Sequence, residues 1–262
     1  ENEIDKLIAA TGFDPRKDVT EILAASNGVQ PKPDTLVMAK GNFDVGKIVA
    51  AVSTKSNQQV QTYGGATLIT GTDSKIEHAV AFLGSNIAVA GPLASVKAAI
   101  DRSTGVNSIN PSLAAQVQTL STTEDAWSVS VASLASLLPG TITGPKDNPV
   151  AAQTLQLVKN IQSSSGGVKF GANVLVTGQA IADTPEDATA LADVVRMVAS
   201  LVSIAGQNGK AGDAAALLQN LQVTTSGSTV NISASIPESQ IETLLNDSGA
   251  SKHEAAMKAR RM

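Results

Sequence analysis

A chain of 262 residues with 19 Lys and Arg against 23 Asp and Glu, a net charge of −4 and no cysteine excludes disulfide frameworks, thiol catalysis and cysteine-ligated zinc or iron–sulfur sites. One Trp, one Tyr, four Phe and two His leave little for stacking on bases or sugar rings, and the acidic balance argues against nucleic-acid binding. Charged residues are only 16% of the chain, below the ~25% of an average soluble domain, yet 42% hydrophobic residues supply a full core.

The chain opens on Glu1 without an apolar leader, which reads as the trimmed product of an exported precursor. Residues 3–10 predict a short helix. Asp14-Pro15 predicts the start of a second, with Asp as cap and Pro in the first turn. Val19, Ile22 and Leu23 would be its apolar stripe. Gly28 to Pro33 breaks the pattern, so 1–33 is expected to be an N-terminal helical segment. Leu36, Met38 and Lys40 alternate as a strand, and a helix is predicted from Asn42-Phe43 to Val52. Residues 60–63, 66–70, 79–83 and 87–90 predict antiparallel strands, with Gly64-Gly65 as a hairpin turn.

From Trp127 the pattern restarts. Trp127, Val129 and Val131 echo Leu36, Met38 and Lys40 at an offset of 91, with a helix expected from Ser133-Leu134 to Leu138. ANVLVTG at 172–178 echoes ATLITG at 66–71 at an offset of about 106. Asn231-Ile232 to Pro237, then Ile241, Leu244 and Leu245, echo Asn86-Ile87 to Pro92, then Val96, Ala99 and Ile100, at an offset of 145 throughout. In both, Pro opens the first turn of a helix whose i, i+3, i+4 residues face a sheet. The second copy is longer around 139–149 and between 181 and 222.

That second insertion starts a helix at Thr184-Pro185-Glu186-Asp187, a cap followed by a proline and two acids at the positive end of the dipole. Its polar stripe is narrow (Thr189, Asp193, Arg196, Ser200, Ser203), so it is expected to be covered on most sides, with Asp193 and Arg196 paired at i and i+3. Its most apolar stretch, 197–205, is too short for a membrane span. The last residues, 250–262, set Lys252, Lys258, Arg260 and Arg261 against Glu254 and read as a basic, solvated tail.

The expected fold is α+β: two diverged repeats, each an antiparallel sheet with helices packed on one face. The expected domains are N-terminal helices (1–33), a first repeat (34–122), a second repeat (123–249) with a helical insertion (184–220), and the tail (250–262).

Gly41-Asn42-Phe43-Asp44-Val45-Gly46-Lys47-Ile48 has the G-x4-G-K frame of a phosphate-binding loop after a strand. Ile48 stands where magnesium would need Ser or Thr, and the intervening residues are bulky, so the segment reads as a strand end and a helix cap. A His-based triad requires His78 or His253. His253 lies in the tail, His78 at a strand start, and no G-x-S-x-G accompanies either. No S-x-x-K has the companions that would make it meaningful. Asp14/Asp18, Glu124/Asp125 and Asp183/Glu186/Asp187 fall at helix caps or loops, and no EF-hand is present. No catalytic, cofactor-binding or metal-binding residue is assigned, no cofactor is expected, and the binding residues stay open.

The run Gly12-Phe13-Asp14-Pro15-Arg16-Lys17-Asp18-Val19, with Gly41-Asn42-Phe43-Asp44 after a strand, Tyr63-Gly64-Gly65 and Ile87-Ala88-Val89-Ala90-Gly91, resembles uncharacterised exported proteins of acidobacterial and related soil bacteria. The likeness covers residues 1–135 and the C-terminal strand–Ile-Pro-Glu–helix ending. It implies export and a duplicated α+β body. It brings no activity and no functional residues.

The expectation for function is therefore a non-catalytic exported or periplasmic protein that binds a protein partner or a second copy, through a sheet face or the 185–206 helix. Two alternatives are a hydrolase using Ser or paired carboxylates, and a carrier of a small apolar ligand. The hydrolase requires His78 or two acids to meet a serine. The carrier requires a cavity of ~300 Å³ or more lined by Val, Leu and Ala.

Overall fold

The computed structural model describes residues 3–28, 34–53, 58–73, 76–105, 109–132, 157–207, 218 and 220–242. The chain divides into two units, Glu1–Ser108 and Ile109–Met262.

In the first unit, α1 (Glu3–Thr11) and a single turn α2 (Pro15–Asp18) precede β1 (Val19–Ser26). The expected second helix therefore ends after one turn, and the 1–33 segment includes a strand, β1. Val19, Ile22 and Leu23 fit helical spacing, but Val19, Thr20 and Ile22 are β-branched and favour extended backbone. Pairing with β2 (Thr35–Gly41), from Glu21↔Lys40 to Ser26↔Thr35, decides the outcome. After α3 (Val45–Val52), β3 (Gln58–Tyr63), β4 (Ala66–Asp73), β5 (Ile76–Leu83) and β6 (Ile87–Pro92) run as an antiparallel meander. The β3–β4 turn is Gly64-Gly65, with φ of 54° and 80°, as a primed two-residue hairpin requires. The six-stranded sheet has the order β1-β2-β6-β5-β4-β3.

Strand alternation divides this sheet's core in two. Leu68, Ala81 and Val89 face α4 (Leu93–Ser103), where Val96 and Ile100 are fully buried. Ile69, Phe82, Val80 and Ala88 face the other way, onto Phe43, Ile48 and Val49 of the α3 segment. Phe13, Phe43 and Phe82, three of the chain's four phenylalanines, stack there with ring centroids 5.3 and 5.6 Å apart. Helices thus cover both faces of this sheet rather than one.

The second unit opens with α5 (Pro111–Thr123), whose N-terminus is capped by Asn110 Oδ1 accepting from the Ser112 and Leu113 amides. The 34–122 boundary gave this helix to the first repeat, but it packs on β7 (Ala126–Ser130) and β8 (Ile161–Lys169). β9 (Asn173–Ala182), α6 (Pro185–Gln207), β10 (Gln222–Ser226) and β11 (Thr229–Pro237) follow. Their five-stranded antiparallel sheet has the order β10-β11-β9-β8-β7. Val230, Ile232 and Val223 face Ala188, Leu191 and Ala192 of α6. The helix expected at 133–138, residues 208–217 of the insertion, and the tail lie outside the described residues.

Both units are α+β with an antiparallel sheet, as the clustering of strands predicts, but their strand orders differ. β3-β4-β5-β6 form a four-strand run in one sheet, and β7-β8-β9-β11 form one in the other. The strand beside β6 is β2, whereas the strand beside β11 is β10. This correspondence keeps the 145-residue offset between β6 and β11. It does not keep the matches of β2 with β7 or of β4 with β9.

Candidate functional site

The second sheet carries a cleft of about 530 Å³ between α5 and strands β8, β9 and β11. Cross-strand register places Asn231 opposite Gln179, and Gln179 opposite Ser165, on one face. Thr177 and Ser233 lie two residues along on the same face, because successive side chains alternate. A Cβ at Gly167, also on that face, would meet the Glu124 side chain at 2.3 Å. The end of α5 therefore overlies this face, opposite to the one that carries α6, and only glycine at 167 lets Glu124 lie so close.

The helix wall is Ala115, Gln116, Thr119 and Leu120. The sheet wall is hydroxyl and amide, crossed by a Gln179 Nε2 donation to Asn231 Oδ1 at 3.0 Å. Gly166, Gly178 and Ile232, whose side chain faces α6, add backbone. Among the described residues, no Asp, Glu, Lys, Arg or His lines the cleft. Gln116 Oε1 is buried and accepts no hydrogen bond from the described residues. The arrangement suits binding of an uncharged molecule. It offers no general acid, general base or activated nucleophile.

The residues singled out in the sequence have structural roles elsewhere. In the Gly41–Ile48 loop, the Lys47 amide donates to Asp44 Oδ1 at 3.0 Å and the Lys47 ammonium pairs with Asp44 Oδ2 at 3.0 Å. These contacts, the backbone one first, hold the Asp44 carboxyl below its ordinary pKa. A Cβ at Gly41 would lie 2.1 Å from the Asp18 carbonyl oxygen, so this glycine serves a close chain crossing.

Asp14 caps α2, accepting from the Arg16 amide and its guanidinium at 2.9 to 3.1 Å. Asp18 Oδ2 accepts the Asp14 amide at 2.7 Å, which makes a reciprocal capping box. The Arg16 guanidinium lowers the pKa of Asp14. Asp125 Oδ2 accepts from the Phe170 amide at 2.7 Å. The Asp187 amide donates to Thr184 Oγ1 at 3.1 Å, the Thr184 hydroxyl donates to Asp187 Oδ2 at 2.9 Å, and Asn160 Nδ2 donates to Asp187 Oδ1 at 3.1 Å.

His78 is exposed on β5, with Gly71 and Pro92 as cross-strand neighbours. Among the described residues no serine or acid is hydrogen-bonded to it, and His253 lies outside them. No group of three or more His, Asp or Glu among the described residues is placed to hold a metal ion. Sequence reasoning missed the cleft because its members come from α5, β8, β9 and β11, and none of them is chemically conspicuous.

No family model and no curated protein matches this chain. Among solved structures it is similar to crystal form IV of TP0453, with 10% identity and a TM-score of 0.48 over 93% of this chain and 81% of that one. It is likewise similar to crystal form I of TP0453, with 10% identity and a TM-score of 0.47 over 93% of this chain and 87% of that one.

Proposed function

We propose that this chain is a non-catalytic, exported binding protein, and that the cleft beneath α5 takes up a small uncharged ligand. One observation carries the reading: among the described residues the lining holds no titratable group and is built of hydroxyls and amides. The volume of about 530 Å³ falls within the ~300–1,000 Å³ range of small-molecule sites. The lining departs from the Val, Leu and Ala expected of an apolar carrier. Ala115 and Leu120 supply a small apolar patch, and Ser165, Thr177, Gln179, Asn231 and Ser233 supply hydroxyls and amides. The preferred ligand is accordingly neutral and bears N–H or O–H groups.

The test is native mass spectrometry of the protein produced with export in a bacterial host. A neutral adduct is expected on the wild type and absent from Ser165→Leu, which fills the cleft. A bare protein, or an adduct indifferent to Ser165→Leu, contradicts the reading.

The resemblance to exported soil-bacterial proteins supports export. Fractionation of a cell that makes the full-length precursor tests it. Common ancestry of the two units is supported by the β6 and β11 segments, each ending in proline before a helical turn (residues 238–242 in the second unit). A protein partner on α6 is the second reading. It draws on Leu201 and Ile204, which are 58% and 56% exposed where the sequence pattern asks for cover. Leu201→Lys with Ile204→Lys should then abolish association while leaving the thermal midpoint unchanged.

A further inference from the structure

We propose that the outer edge of β1 is a self-association edge: two copies pair through Val19–Ser26, antiparallel, and join two six-stranded sheets into one of twelve. The strand ends its sheet, and among the described residues β2 is its only strand neighbour. Half of its backbone N–H and C=O groups therefore point away from β2 in a row.

Edges of this kind are normally blocked by Pro, Lys, a bulge or a covering element. β1 has no Pro and no Lys, and its single register shift, between Val19 and Glu21, leaves Glu21 to Ser26 regular. It is apolar and open on both faces, with Ile22 72% and Leu23 42% exposed on opposite sides. Its one charge, Glu21, is exposed on a sheet face and paired with its cross-strand neighbour Lys40 of β2 at 3.0 Å.

The pattern fits a second copy in particular. A two-fold axis between antiparallel strands lies perpendicular to the sheet, so some residue faces itself and its neighbours pair symmetrically. Centred on Ile22, Glu21 meets Leu23. Centred on Leu23, it meets Ala25. Centred on Ala24, it meets Asn27. Only centring on Glu21 itself opposes like charges, so the edge is self-complementary across its exposed apolar half.

The absence of cysteine makes the test direct. Ile22→Cys, Leu23→Cys and Ala24→Cys are made singly, with Ser112→Cys on the exposed face of α5 as control. Directly opposed residues have Cα atoms about 4.5–5.5 Å apart, within disulfide range. At least one β1 thiol is expected to give disulfide dimers under mild oxidation at ten times the control rate or more. Light scattering after size exclusion should show a dimer that Ile22→Lys with Leu23→Lys converts to monomer, with an unchanged thermal midpoint. A monomeric wild type overturns the proposal. So does a dimer that withstands the lysines, or one lost instead on Leu201→Lys in α6.

Discussion

Tyr63 donates its hydroxyl to Asp101 Oδ2 at 3.2 Å, with the Lys97 ammonium 5.0 Å from its ring centre. Only the neutral phenol can donate that hydrogen bond, and this, with burial and the nearby Asp101 charge, raises the tyrosine pKa above its ordinary 10.0. The stabilisation is fully present below pH 10 and is lost as pH rises through the higher folded value. As the chain has one tyrosine, its absorbance titration is unambiguous. A midpoint above 10 that moves back down in Asp101→Asn is expected. Asp14 works with the opposite sign. Its pKa is held below 3.8 by Arg16, so its contribution is present above that value and fades as pH falls through the lower folded one. Arg16→Met should move the onset of acid unfolding, followed by circular dichroism, to higher pH. At Gly41 the close approach to Asp18 predicts that Gly41→Ala lowers unfolding free energy in urea by about 1–3 kcal/mol, the range of overpacking, without touching any nucleotide chemistry.

Caps and hairpin turns were the legible elements. Thr184 caps the start of α6 as the sequence pattern predicts, accepting from the Asp187 amide, and Asp193 pairs with Arg196 at 2.8 Å. Thr184→Ala should cost about 1 kcal/mol in equilibrium unfolding. Gly64-Gly65 was equally readable, because few residues accept positive φ at two successive positions. β1 was not. Its apolar residues satisfy helical and strand spacing together, and only pairing with β2 decides between them. The exposure of the second half of α6 was hidden for the same reason. Its apolar composition says what the helix would bury, while the apolar cluster with Val223 and Val230 takes in Ala188, Leu191 and Ala192 near its start.

At the scale of the molecule, the α+β class followed from clustered strands, while strand order did not. β9 pairs with β11 across α6 and β10, from Thr229↔Ile181 to Pro237↔Asn173, and no local signal encodes such a pairing. That pairing sets Gln179 beside Asn231 and so builds the cleft wall, which is why a fold read in outline gave no site. The two sheets carry separate cores. In the first, Leu68 is fully buried among Ala66, Ala81, Val89 and Ile100, so Leu68→Ala should lower stability by about 2–5 kcal/mol and leave ligand uptake in the second unit intact at temperatures where the protein stays folded.

The account turns on the uncharged cleft. Side-chain amide resonances of Gln116, Gln179 and Asn231, followed by nuclear magnetic resonance during titration with N-methylacetamide, acetate and methylammonium, test it most directly. N-methylacetamide, which brings both an N–H donor and a carbonyl acceptor, should shift all three resonances saturably, and the two ions should not. Equal response to the ions, or no saturable shift with the neutral amide, would contradict it.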